Sequence, residues 1–185
     1  MKITLPEIDI YITRIAAEDG ATRAERERMA VAELVAEAFG SEAVKCNDAL
    51  GAPYILLMNE ERIGGCVSVS HSRHYAALAV SKLRYVGIDV EEDRAQLERV
   101  LPRITSAQEA CYNTNARSRL EGWTLKEALY KAARGMAGRE LDFSRDLRLP
   151  VGGCGASAAG IPFDHFCRMI DGHTMLSAVW EASPR

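Results

Sequence analysis

The chain has 185 residues, 48% of them hydrophobic, enough to bury a proper core as one domain or as two small lobes. A net charge of -3 lacks the basic footprint of a nucleic-acid binder, and no apolar run nears the roughly 18 residues of a membrane span. Five cysteines (Cys46, Cys66, Cys111, Cys154 and Cys167), odd in number and without a C-x-x-C pair, read as reduced thiols in the cytoplasm, not as a disulfide framework or a zinc site.

In chain order, "MKITLPEIDIYITRI" alternates Ile with polar residues, which predicts a half-buried strand over 8–15 and lacks the apolar core of a signal peptide. Residues 22–40 predict a long amphipathic helix closed by Gly40, with Met29, Leu34, Val35 and Phe39 among its apolar positions. "GAPYILLM" predicts a turn and a short strand, and "GCVSVSHS", "HYAALAVS" and "YVGIDVE" predict three more strands. From 96 to 120 the chain reads as helical, with breaks at Pro102 and around Asn113–Asn115. "GWTLKEALYKAARG" is a helix of roughly three turns stopped by Gly135. "VGGCGASAAG" reads as a flexible loop without a phosphate-loop pattern, and the tail reads as a hairpin turning at Asp171-Gly172. "HYAALAVS" and "HTMLSAVW" echo each other near the ends of the two halves of the chain, as in two similarly built α+β lobes, 1–86 and 87–185.

Three stretches carry chemistry. In "GIDVEED" residues two apart share a strand face, so Asp89 and Glu91 project together while Ile88 and Val90 face the core. Two close carboxylates repel unless a cation sits between them, and Mg²⁺ suits such oxygen ligands. A solvated strand end with acids facing water is the plainer alternative. Gly87 would permit a close backbone approach. Trp123, Glu127 and Lys131, spaced four apart, share a helix face that Trp123 would turn inward. A surface Glu–Lys pair is the alternative there. His71 in "SHS" could donate to a phosphate, stack on a base, or be structural. The four histidines offer no zinc spacing.

Taken in order, "SHS", "GIDVE" and "WTLKEALYKA", preceded by Gly51-Ala52-Pro53, resemble the 4′-phosphopantetheinyl transferase superfamily, and within it the two-lobed, surfactin-synthetase-type branch. The resemblance implies an α+β fold of two similar lobes related by a pseudo-twofold, each a small antiparallel sheet packed with helices, in a monomer with the active site between them. It implies that Asp89, Glu91 and Glu127 bind Mg²⁺, which grips the pyrophosphate of coenzyme A. A carrier-protein serine would attack the β-phosphate and release adenosine 3′,5′-bisphosphate. Glu127 would be the general base, and Lys131 would neutralise the departing phosphate. Lys126 would also touch the phosphates, and Ser70 and His71 would hold the 3′-phosphate end.

The chain departs from the family at Ala52, which stands where relatives carry a basic residue. Arg23, Arg26 and Arg28 are the candidates for the family's N-terminal basic residues. "TSAQE", ending at Glu109, stands for an element whose aromatic residue is lost, and "ARGMAG" replaces a tidier glycine pattern. The apo acyl or peptidyl carrier protein is expected to dock on the segment from 94 to 120, where Arg94, Arg99, Arg103, Arg117 and Arg119 alternate with Leu97, Val100 and Leu101. Two other readings are a coenzyme A- or carrier-binding member without turnover, and another Mg²⁺-dependent phosphoryl-transfer enzyme.

Overall fold

Strand β2 (Ile8–Arg14) is buried on both faces: Ile8, Ile10 and Ile12 pack to one side and Tyr11 to the other. That arrangement places β2 inside a layered α+β structure. The structure, a computed structural model, describes residues 1–17, 20–64, 67–82, 85–134 and 139–183. Gly135, Cys66 and most of "ARGMAG" lie outside the described residues.

The first sheet is antiparallel in the order β1 (Lys2–Thr4), β2, β7 (Tyr75–Ser81), β6 (Val67–His71). Its outer face is covered by α1 (Arg23–Phe39), through Ala30, Val31, Leu34 and Val35. Thr22 and Glu25 close a capping box at the start of α1, and Gly40, at φ +98°, closes its end through its N–H to the Ala36 carbonyl. Met29, grouped by sequence with the apolar stripe, is exposed. A small three-stranded sheet, β3 (Val44–Asn47), β4 (Pro53–Leu56) and β5 (Arg62–Gly64), lies beside α1.

The second sheet runs β8 (Val86–Glu92), β12 (Thr174–Glu181), β11 (Ile161–Met169), β10 (Ala156–Ala158), β9 (Leu147–Arg148). The predicted tail hairpin is β11–β12, turning at Gly172 with φ +87°. The stretch read as a flexible loop contributes β10. Its glycines at 152 and 153, both at positive φ, turn the chain so that Ala156 and Ala158 can bury and pair with β11.

Helix α3 (Ala116–Ala133) covers the outer face of this sheet through Leu125, Leu129 and Ala132, while Ile88, Val90, Leu176 and Ala178 meet β2 and β7 on the inner face. Before α3 come α2 (Leu97–Ile104) and a 3₁₀ turn (Ala107–Asn113). Pro102 sits inside α2 instead of breaking it. It forfeits one bond to the Glu98 carbonyl on an exposed face, where water can replace it.

The two sheets also meet edge to edge. β6 and β8 advance in parallel, but side chains make the bonds. The Ile88 N–H donates to Ser68 Oγ at 3.1 Å, the Val90 N–H donates to Ser70 Oγ at 3.3 Å, and Ser72 Oγ donates to Glu92 Oε1 at 3.0 Å. Every second residue of β6 points its hydroxyl at β8, so the spacing of "SVSHS" suits it to this seam.

Candidate active site

Gly87 positions the site. A Cβ there would fall on the Ala128 carbonyl oxygen and within 2.9 Å of the Ala132 amide, so only glycine lets α3 lie this close on β8. The approach brings Glu127 and Lys131, one turn apart on α3, over the end of β8 where Asp89 and Glu91 project.

Asp89 is buried, and its Oδ1 accepts from Ser70 Oγ at 2.8 Å and from Lys131 Nζ at 2.7 Å. Lys131 also donates to Ser70 Oγ at 3.0 Å and to the Ile88 carbonyl at 3.1 Å, which uses all three of its N–H bonds. Glu91 is paired with Arg94 at 2.8 Å, and the Arg94 guanidinium lies 5.8 Å from the Trp123 ring centre.

The carboxylates feel one another. Burial pushes Glu127 above the usual carboxylate range, the charge of Asp89 pushes it further, and Lys131 pulls the other way; Glu91 adds to the rise and Arg94 opposes it. Glu91 is raised too, first by burial, with Asp89 and Glu92 adding to it. Among the described residues no three His, Cys, Asp or Glu side chains are gathered as a metal-ligand set. The donor chemistry nevertheless fits a hard divalent cation. Three mutually repelling carboxylates present only oxygen, and two of them have drawn a neighbouring cation to themselves.

A cleft of about 1280 Å³ opens beside this cluster, between α1, the β3–β4 turn, β6 and the end of α3. His71 and Lys131 line it, and His71 Nδ1 stands 3.5 Å from Glu27 of α1. Ala52 lines it as well, leaving its position without a charge, but Arg134 reaches across from the end of α3 and donates to the Gly51 carbonyl at 2.6 Å. Lys45 and Arg62 add positive charge to the lining, with the Arg62 guanidinium 3.8 Å above the Tyr54 ring. Of the N-terminal arginines only Arg28 lines the cleft. Arg23 is paired with Glu27, and Arg26 caps the Ala21 carbonyl. Sequence reasoning missed Arg134, although it lies three residues beyond Lys131, a spacing that shares a helix face.

Two expected contacts to coenzyme A are corrected by this geometry. Lys126 is fully buried, and its ammonium bonds Glu109 at 3.2 and 3.3 Å, the Phe143 carbonyl at 3.0 Å and the Leu147 carbonyl at 2.6 Å. Position 126 directly precedes Glu127, and neighbours in a helix point about 100° apart, so the two side chains leave α3 in different directions. Ser70 donates its one proton to Asp89 and accepts from Val90 and Lys131, which leaves nothing for a phosphate. Glu109, the end of "TSAQE", is a buried joint. It accepts from Lys126, from the Leu149 amide at 2.6 Å and from the Ser106 amide at 2.7 Å.

No curated protein matches the chain. Residues 85–170 match the family model of the 4′-phosphopantetheinyl transferase superfamily. The matched span runs from the start of β8 to the end of β11 and so includes Asp89, Glu91, Glu127 and Lys131, while Ser70, His71 and the α1 wall of the cleft precede it. Over residues 85–170, a little under half of its length, the chain carries a domain of the 4′-phosphopantetheinyl transferase superfamily.

Proposed function

We propose that the protein transfers the 4′-phosphopantetheine group of coenzyme A to a serine of an apo acyl or peptidyl carrier protein, with magnesium as cofactor. One observation carries the reading. A cleft of about 1280 Å³, whose walls carry Arg28, Lys45, Arg62 and Arg134 against Glu27, Glu33 and Asp48, is lined at one end by Lys131, the residue that holds Asp89 of the carboxylate cluster. A polyanionic nucleotide suits those walls, and a reacting phosphate at that end would meet the acids. The two-lobed reading, 1–86 and 87–185, is supported by the shared strand order: β2-β7-β6 under α1, and β8-β12-β11 under α3. "HYAALAVS" and "HTMLSAVW" then correspond as β7 and β12.

Asp89, Glu91 and Glu127 would hold the magnesium, which when bound supplies charge neutralisation at the pyrophosphate. The chain's own residues do the rest. The carrier serine oxygen forms a bond to the β-phosphorus as the bond to the departing adenosine 3′,5′-bisphosphate breaks. Glu127 takes the serine proton, directly or through water. His71 and Arg134 face the nucleotide from the cleft walls. Lys131, with its N–H bonds engaged, acts through its charge and not through a hydrogen bond to the phosphate. Electrostatic groups fixed before the reaction need no reorganisation during it.

The test is incubation with coenzyme A, Mg²⁺ and apo carriers of the fatty-acid, polyketide and peptide classes, read by intact mass. Addition of one phosphopantetheine arm, lost on chelation, is expected. Coenzyme A binding without mass gain on any carrier would favour a binding member without turnover, and phosphoryl transfer without a carrier would favour the other enzyme class.

A further inference from the structure

We propose that Ser70 and Lys131 decide which divalent ion the site accepts, by occupying one oxygen of Asp89 and leaving only the other for a ligand. This rests on the metal reading above. Ser70 Oγ at 2.8 Å and Lys131 Nζ at 2.7 Å both donate to Oδ1 of Asp89. They also bond each other at 3.0 Å, so the three groups form a closed triangle. The triangle is anchored on both sides, by the Val90 amide on Ser70 and by the Ile88 carbonyl on Lys131. Ser70 and Asp89 are both buried, and a charge-assisted bond in such surroundings is not readily given up.

Oδ2 is different. No described residue donates to it, and the buried side-chain oxygens left without a partner among the described residues are Asp9 Oδ1 and Asn113 Oδ1. Oδ2 is therefore not sealed away, and it is the oxygen of Asp89 that a ligand can reach. An ion bound there receives a single oxygen from Asp89, because Ser70 and Lys131 fill the two lone pairs of Oδ1 and one of their bonds would have to break before it could offer a second. Mg²⁺ takes six ligands in near-octahedral geometry and keeps waters, so single oxygens suit it. Ca²⁺ takes six to eight and gains from carboxylates that offer both oxygens. The tether withholds from Ca²⁺ a ligand that Mg²⁺ does not use. The serine of "SHS" thus acts as a positioning residue for the metal ligand.

The experiment is titration of the full chain with Mg²⁺ alone and with Ca²⁺ alone, followed by calorimetry and by tryptophan fluorescence in a Trp180→Phe background, where the signal is that of Trp123, one turn from Glu127. Wild type, Lys131→Met and Ser70→Ala are compared. Removing the Lys131 charge strengthens binding of both ions, so the ratio of the two affinities is the readout. Release of Oδ1 should lower the preference for Mg²⁺ over Ca²⁺ by about tenfold in each variant. Ser70→Ala also removes a bond of the β6–β8 seam, whereas Lys131→Met leaves the seam intact, so the second variant decides if the first does not fold. An unchanged ratio in folded Lys131→Met overturns the inference while the metal reading stands. Absence of binding of either ion to wild type overturns both.

Discussion

Lys126 is the clearest case of a charged residue whose neighbours, and not its position in a motif, settle its work. Its ammonium and Glu109 form a fully buried pair joining α3, the 3₁₀ turn and the approach to β9. Removing one partner of such a pair leaves an uncompensated buried charge. Lys126→Met should therefore cost about 3–5 kcal/mol in urea denaturation. A loss within the error of the wild-type measurement would show that the pair is not what ties these elements together. Glu109 gives the pair a pH signature. Burial pushes its carboxyl up, but the Leu149 and Ser106 amides and Lys126 outweigh burial and leave it below the usual carboxylate range. A depressed folded value means that its contribution is complete above the unfolded value of about 4.3 and drains away as pH falls through the folded one. Wild-type stability should drop across that acid window, and Glu109→Gln should flatten the drop.

At the scale of elements, the contact of α3 with β8 governs the site. Gly87→Ala would set a methyl group on the Ala128 carbonyl oxygen, and neither backbone can give way alone. We expect a loss of about 3 kcal/mol or more, and with it displacement of Glu127 from Asp89. Unchanged thermal stability of Gly87→Ala would contradict the close approach. The elements themselves were largely legible, because 2- and 3.6-residue periodicities and end signals such as Thr22, Gly40 and Gly172 are local. Helix α3 begins earlier than its apolar pattern suggests, at an Asn115 cap whose side chain accepts from the Ser118 amide; its first turn is polar, so hydrophobic spacing is silent there. Asp89, Glu91, Glu127 and Lys131 were legible as shared faces of a strand and a helix. The engagement of Ser70 with Asp89, the burial of Lys126 and the reach of Arg134 to Gly51 were not. Each depends on which distant segment comes alongside, and no local spacing encodes that.

For the whole molecule, the distribution of charge matters more than its sum of -3. Leu97 and Leu101 of the segment expected to receive the carrier face the core, and Arg94 is drawn to Glu91, whereas Arg99 and Arg103 stand exposed on α2. Arg117 is exposed too, at the start of α3, and Arg119 is paired with Glu98, so the docking proposal narrows to Arg99, Arg103 and Arg117, of which the two on α2 are tested together. Reversing both to Glu should raise the KM for an acidic carrier severalfold and weaken its dependence on salt, with the coenzyme A KM nearly unchanged. An unaltered carrier KM would move the docking face elsewhere. The seam between β6 and β8 has a consequence for motion. Each sheet is laced internally by a backbone ladder, but sheet is joined to sheet along this edge by serine hydroxyls. The amides of Ile88 and Val90 are thus guarded by side chains that can swivel away without any strand unfolding. In deuterated water they should exchange ahead of the amides of β8 that point the other way, into the ladder with β12. The chain would then carry, through the middle of its fold, a line along which it breathes.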